Sequence, residues 1–156
     1  MSALDPLYRD TITLFNRHAT EDGSYIWLPT IMSGVHLIVS KAQMVAMYGE
    51  SHSDNAQVNI IYKRHGNKAI VSGKTYVQPK EFRRLTLSQA KRCFTFSGGA
   101  EFDFLCSGAW TKAESIDDNA YSKGFFHHMN TTYDDVYAIT NSAMYYLLPH
   151  FSITAK

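Results

Sequence analysis

Apolar and polar positions along this chain alternate mostly with a period of two, which is the period of half-buried β-strands. Asp10–Asn16 alternates around Ile12 and Leu14, after an arm at Ser2–Arg9 in which Pro6 sets an extended or turn conformation. Ala19–Ser24 is polar and glycine-containing and reads as a loop. A strand follows at Tyr25–Leu28, with Pro29 marking its edge or end. The unbroken apolar run Gly34–Val39 predicts a strand buried on both faces. Lys41–Tyr48 suits two helical turns closed by Gly49, and Glu50–Ala56 has the composition of an exposed loop.

Val58–Lys63 predicts another strand, and His65–Asn67 the turn after it. Ala69–Ser72 and Thr75–Val77 form shorter strands around Gly73. At Pro79–Leu85 the pattern changes to a short helix opened by proline, which Ser88–Arg92 can extend. Cys93–Ser97 and Glu101–Cys106 alternate on either side of Gly98–Gly99 and predict a β-hairpin. A short helix fits near Asn119–Met129. Val136–Asn141 and Phe151–Ala155 close the chain as two strands, a hairpin carried by Tyr137, Ile139, Pro149, Phe151 and Ile153.

The tally is roughly eight to ten short strands against two or three short helices, without the alternation of strand and long helix that builds parallel sheets. The expected fold is therefore mainly β: a single antiparallel β-barrel or sandwich with short helices and one long loop, spanning residues 10–156 behind the arm at 1–9. At 156 residues, one domain suffices to bury a substantial core. Ten Tyr, nine Phe and two Trp raise the aromatic share to 13%, which serves a pleated core and also protein interfaces.

Charge adds little global steering, because the formal net charge is only +1. No apolar run is long enough to span a membrane as a helix. The opening MSALDPLYRD has neither the basic nor the apolar region of a signal peptide. Cys93 and Cys106 fall within strands and read as small buried thiols, although a bridge is possible if those strands are neighbours.

Candidate chemistry is sparse. Of seven histidines only His127 and His128 are close, and adjacent residues point to different faces, so no metal or other cofactor is predicted. No GxSxG elbow, no HExxH and no phosphate-cradling glycine motif occurs. Asp117–Asp118 and Asp134–Asp135 stand just before helical or strand segments, where capping accounts for them. The chain does not read as an enzyme. Local basic clusters are the more informative feature: Lys63 and Arg64 form one, and Lys80, Arg83, Arg84, Lys91 and Arg92 crowd a second stretch. They can face phosphates, or a solvated surface, or the acids of a neighbouring subunit.

Several patterns occur in a telling order: DTITLFNRH, GVHL, NIIYKR, GKTYVQPKEF, FTFSGGAEFDFLCSGAW and DDVYAITNSAMYYLLPHFSITAK. Together they resemble a family of small phage structural proteins from the head–tail module of siphophages that infect Gram-positive bacteria. The likeness runs over residues 10–156 and is sharpest at YVQPKEF and PHFSITAK. Departures are Gly99-Ala100-Glu101 in place of a glycine–aspartate turn, and Phe151 in place of a tryptophan.

The resemblance implies a neck component of the head-completion or stopper type, made in the host cytoplasm and incorporated into the virion. Such barrels assemble as homo-oligomeric rings, six- or twelve-fold, between the portal or its adaptor and the tail. They send loops toward the axial channel and help retain packaged double-stranded DNA. Here the resemblance points to Lys41–Ala56, with Met44, Met47 and Tyr48, or to Pro79–Arg92 as the segment facing channel, DNA or neighbouring subunit. A tail-terminator or minor capsid role in the same particle is the nearest alternative. From another class, a ligand-binding barrel or a nucleic-acid binder that stacks bases on Tyr and Phe also fits.

Overall fold

The structure is a computed structural model that describes residues 7–39 and 56–156. Its strands are β1 (Asp10–Ala19), β2 (Tyr25–Val39), β3 (Ala56–Ile61), β4 (Lys63–His65), β5 (Lys68–Val71) and β6 (Lys74–Tyr76). They continue with β7 (Cys93–Phe94), β8 (Phe104–Ser107), β9 (Ile116–Asp117), β10 (Val136–Tyr145) and β11 (His150–Ala155). Three short helices accompany them: α1 (Pro79–Arg84), α2 (Leu87–Ala90) and α3 (Phe125–Thr132).

Six strands close into an antiparallel barrel in the order β1-β8-β10-β11-β3-β2, with β2 returning to β1. The expected barrel is thus the fold. Period-two alternation fills its interior with Ile12, Leu14, Met32, Val58, Ile60, Leu105, Tyr137, Ile139, Phe151 and Ile153. β1 is also buried on its outer face, where Phe15 meets Trp27, Phe104, Phe125 and Met129 beneath α3. A third, smaller cluster sets Phe82 of α1 and Ala90 of α2 on Leu28. Strands β4-β5-β6-β7 form a second sheet, its last pair parallel because α1 and α2 make the crossover.

Five expectations need correction. Pro29 does not end its strand, since β2 runs on to Val39 with Pro29 opposite Phe15. The Pro29 carbonyl accepts from Lys74 Nζ at 3.0 Å, on the side facing away from β1. Its nitrogen therefore also faces a stretch of β2 that carries neither β9 nor β3, where no ladder donor is missed. Gly34–Val39 is the far end of this same strand, and Ile38 and Val39 are exposed rather than buried. Gly34, with φ +67°, absorbs a register shift as β2 leaves β1 and takes up β3.

Cys93–Ser97 and Glu101–Cys106 do not form a hairpin. β7 belongs to the second sheet and β8 to the barrel, so Gly98–Gly99 is a crossing point between them. A Cβ on Gly98 would lie 2.7 Å from the Thr140 carbonyl oxygen, so glycine is what lets this crossing pass β10. The extension of the first helix through Ser88–Arg92 is instead a separate α2, started by a Thr86–Gln89 capping box. The predicted helix at Asn119–Met129 begins later, at Phe125. Gly124, with φ +91°, turns the chain, and Asp118 Oδ1 accepts from the Phe125 N–H at 2.8 Å. Cys93 and Cys106 are both free.

Candidate interaction surfaces at the two ends of strand β10

β10 is laid down on two different foundations. Val136–Ala138 pairs with β8 inside the barrel wall, while Ile139–Tyr145 pairs with β11 and carries the hairpin outward. Of the residues assigned to this hairpin from sequence, Tyr137, Ile139, Phe151 and Ile153 are buried, and half-buried Pro149 lies in its turn. Residues 146–149 form the turn itself.

The turn is apolar and stands in water. Leu147 is 98% exposed, Leu148 78% and Tyr146 62%. Its backbone is nevertheless held firmly. Tyr62 Oη donates to the Tyr145 carbonyl at 2.7 Å, Arg64 Nη2 to the Tyr146 carbonyl at 2.5 Å, and the Tyr62 N–H to the Pro149 carbonyl at 3.3 Å. The Tyr145 and His150 rings stack with centroids 4.7 Å apart. The two leucines are therefore presented on a fixed scaffold. Close to the tip stand the exposed cations Arg64 and Lys68, which with Met144 and Tyr146 line a cleft of about 470 Å³.

At the other end of β10 lies a second feature of opposite shape. The segment after β8 and the end of α3 border an open cavity of about 370 Å³, floored by Cys106 and Met129 and walled by Trp110 and Tyr133. Thr13 on the outer face of β1 positions the wall, donating to the Gly108 carbonyl at 2.8 Å and accepting from the Trp110 N–H at 2.9 Å. Lys112 reaches across it, its Nζ 4.9 Å from the Trp110 ring and hydrogen-bonded to Tyr133 Oη at 3.2 Å. Asp134 and Asp135 form an acidic rim. Trp110 Nε1 is buried and has no hydrogen-bond acceptor among the described residues. Burial pushes the Cys106 thiol up to about 11, so it is a neutral, apolar part of the floor.

The predicted basic residues do not converge. Lys63 and Arg64 belong to the hairpin end. Arg83 sits instead with Arg17, both close to Glu101 at 3.6 and 3.8 Å. Lys91 lines a separate depression with Lys74 and Glu114. Lys80, Arg84 and Arg92 are exposed on or next to the short helices. Met44, Met47 and Tyr48, and nearly all of the Lys41–Ala56 segment, lie outside the described residues.

Two features escape the sequence reading. One is Asp103, which alternation in EFDFL would place on a polar face but which is wholly buried. Its carboxylate accepts from Asn16 Nδ2, the Arg17 N–H and the Ser97 N–H, each at 2.9 Å, tying β1 and β8 to the crossing segment. Burial pushes this carboxyl up to about 7 against the pull of those donors. The other is the tip itself, whose signal was the run Tyr145-Tyr146-Leu147-Leu148 at a turn that should be polar. No group of three His, Cys, Asp or Glu placed to hold a metal ion occurs among the described residues.

Residues 7–156 match the model of a family described as a family of unknown function, DUF6751, and the chain belongs to that family. No curated protein and no solved structure matches it.

Proposed function

We propose that this DUF6751 member is a structural protein of the phage neck, of the head-completion type. In this reading it forms a ring between the portal or adaptor and the tail and helps retain packaged DNA. The observation that carries the reading is the Leu147–Leu148 tip, an apolar knob fixed by three hydrogen bonds yet left in water by a lone subunit. A contiguous exposed apolar feature of this kind marks a surface made for a partner. The closed barrel beneath it is a rigid body suited to bearing load, and the order of sequence motifs supplies the particular assembly.

The role is mechanical rather than catalytic. Subunits contact one another around the ring and the portal side and tail side through its two faces. The exposed cations Lys80, Arg84, Lys91 and Arg92 provide sequence-independent contacts to the phosphates of DNA in the channel. Imaging of the virion tests this directly. Ring density for this chain between capsid and tail is the expected result; density seated on the tail tube rather than on the portal side would make it a tail terminator, and absence from the particle would overturn the reading.

A further inference from the structure

The knob and the cavity lie at opposite ends of one strand. Asp134 and Asp135 immediately precede β10 and Tyr146–Pro149 immediately follow it. Ten residues of strand at about 3.3 Å each separate them by roughly 30 Å. A subunit therefore cannot fill its own cavity with its own tip, but the next copy can.

Size, polarity and charge all match. A space of about 150 Å³ accepts a benzene ring, so the roughly 370 Å³ here has room for two isobutyl side chains. Its floor is apolar, with Met129 and the neutral Cys106. Its rim carries Asp134 and Asp135, whereas Arg64 and Lys68 stand beside Tyr146 at the tip. Trp110, packed edge-on against Phe15 and Phe125, contributes a fixed aromatic wall. Lys112, which spans Trp110 and Tyr133, is the side chain that has to swing aside.

We infer that the Leu147–Leu148 tip of one copy seats in the Trp110–Met129–Tyr133 cavity of the next, joining subunits head to tail. Such a contact is heterologous: each subunit offers one knob and one hole, and repetition gives a closed ring when the rotation between copies permits. The inference deepens the ring reading above and rests on it for the closure of the assembly.

Complementation between two broken surfaces tests it with the purified full chain. The first variant combines Leu147→Asp with Leu148→Asp, at positions whose exposure leaves folding intact. The second fills the cavity with Ala109→Trp; Tyr133→Asp serves as a second cavity variant should that one fold poorly. In sedimentation velocity, the wild type is expected to associate with rising concentration, and each variant alone to lose roughly 100-fold in self-affinity. An equimolar mixture should regain one contact and stop at a 1:1 dimer, because only one intact knob and one intact hole remain per pair.

A tip variant that still associates, a mixture that stays monomeric, or a wild type monomeric at about 1 mM would each overturn the inference. Its failure is distinguishable from that of the neck reading. Virions with ring density built by the tip variant would retain the neck and remove this contact. A complementing pair from a protein missing in virions would do the reverse.

Discussion

The two halves of the closing hairpin obey opposite rules. At the base, Tyr137, Ile139, Phe151 and Ile153 are all buried inside the barrel. At the tip, Leu147 and Leu148 carry side chains of the same character into solvent. Base and tip belong to one ribbon, so propensity does not separate them. What separates them is their surroundings: the base meets its own barrel, and the tip meets solvent. An apolar residue at the base therefore contributes to folding, and in the reading proposed above one at the tip contributes to assembly.

Substitution at matched positions should break this symmetry most sharply. Phe151→Ala empties the centre of an aromatic cluster containing Tyr62, Tyr76, Phe94 and Phe96, and is expected to lose about 3–5 kcal/mol in urea unfolding. Leu148→Ala, in the adjacent turn, should change the unfolding free energy by less than about 0.5 kcal/mol. Equal losses would show that the tip packs against its own chain. Removing Phe151–Lys156 altogether strips β11 from both its neighbours and should leave the barrel unfolded.

The next effect comes from Asp103, which lies beyond the hairpin but fastens the crossing segment beside it. Its folded value of about 7 lies above the ordinary 3.8, so the fold holds the proton more tightly than the unfolded chain does. The associated stability is complete below pH 4, declines between about pH 4 and 7, and is lost above pH 7. A rise from 3.8 to about 7 corresponds to an upper bound of about 4 kcal/mol. Asp103→Asn should flatten that dependence. It should also lower stability at pH 5, because an amide N–H then faces the Arg17 or Ser97 donor. Unfolding curves at pH 5 and 8 for both proteins measure the two effects; a wild type equally stable at both would refute the burial argument.

Much of the barrel is legible in the sequence because burial writes a period of two into Ile12–Leu14, Val58–Ile60 and Phe151–Ile153. Long-range closure is not written that way. The separation of Cys93–Ser97 from Glu101–Cys106 depends on β10 passing within reach of Gly98, a contact made 42 residues later in the chain. Likewise, Asp103 alternates correctly as a polar residue, but the face it occupies is covered by Asn16 and Ser97 from distant segments. The site was half legible. The terminal hairpin is legible as two alternating strands, whereas the cavity walls come from Trp110, Met129 and Tyr133, which only the third dimension collects.

The smallest expected effect asks whether the tip is held in readiness or merely exposed. Tyr62→Phe keeps the ring, whose centroid lies 4.9 Å from that of Phe151, and deletes only the hydroxyl that donates to the Tyr145 carbonyl. Loss of one such bond should reduce global stability by about 0.5–1.5 kcal/mol. Its local consequence is more telling. With one of three pins gone, amide hydrogen exchange at residues 145–150 should accelerate while that of Val136–Ala138 stays unchanged. A looser tip must also be ordered again when it enters a partner, so self-association should weaken beyond what the unfolding midpoint predicts. If exchange rises uniformly along β10 instead, base and tip open as one unit, and the division of labour between them fails.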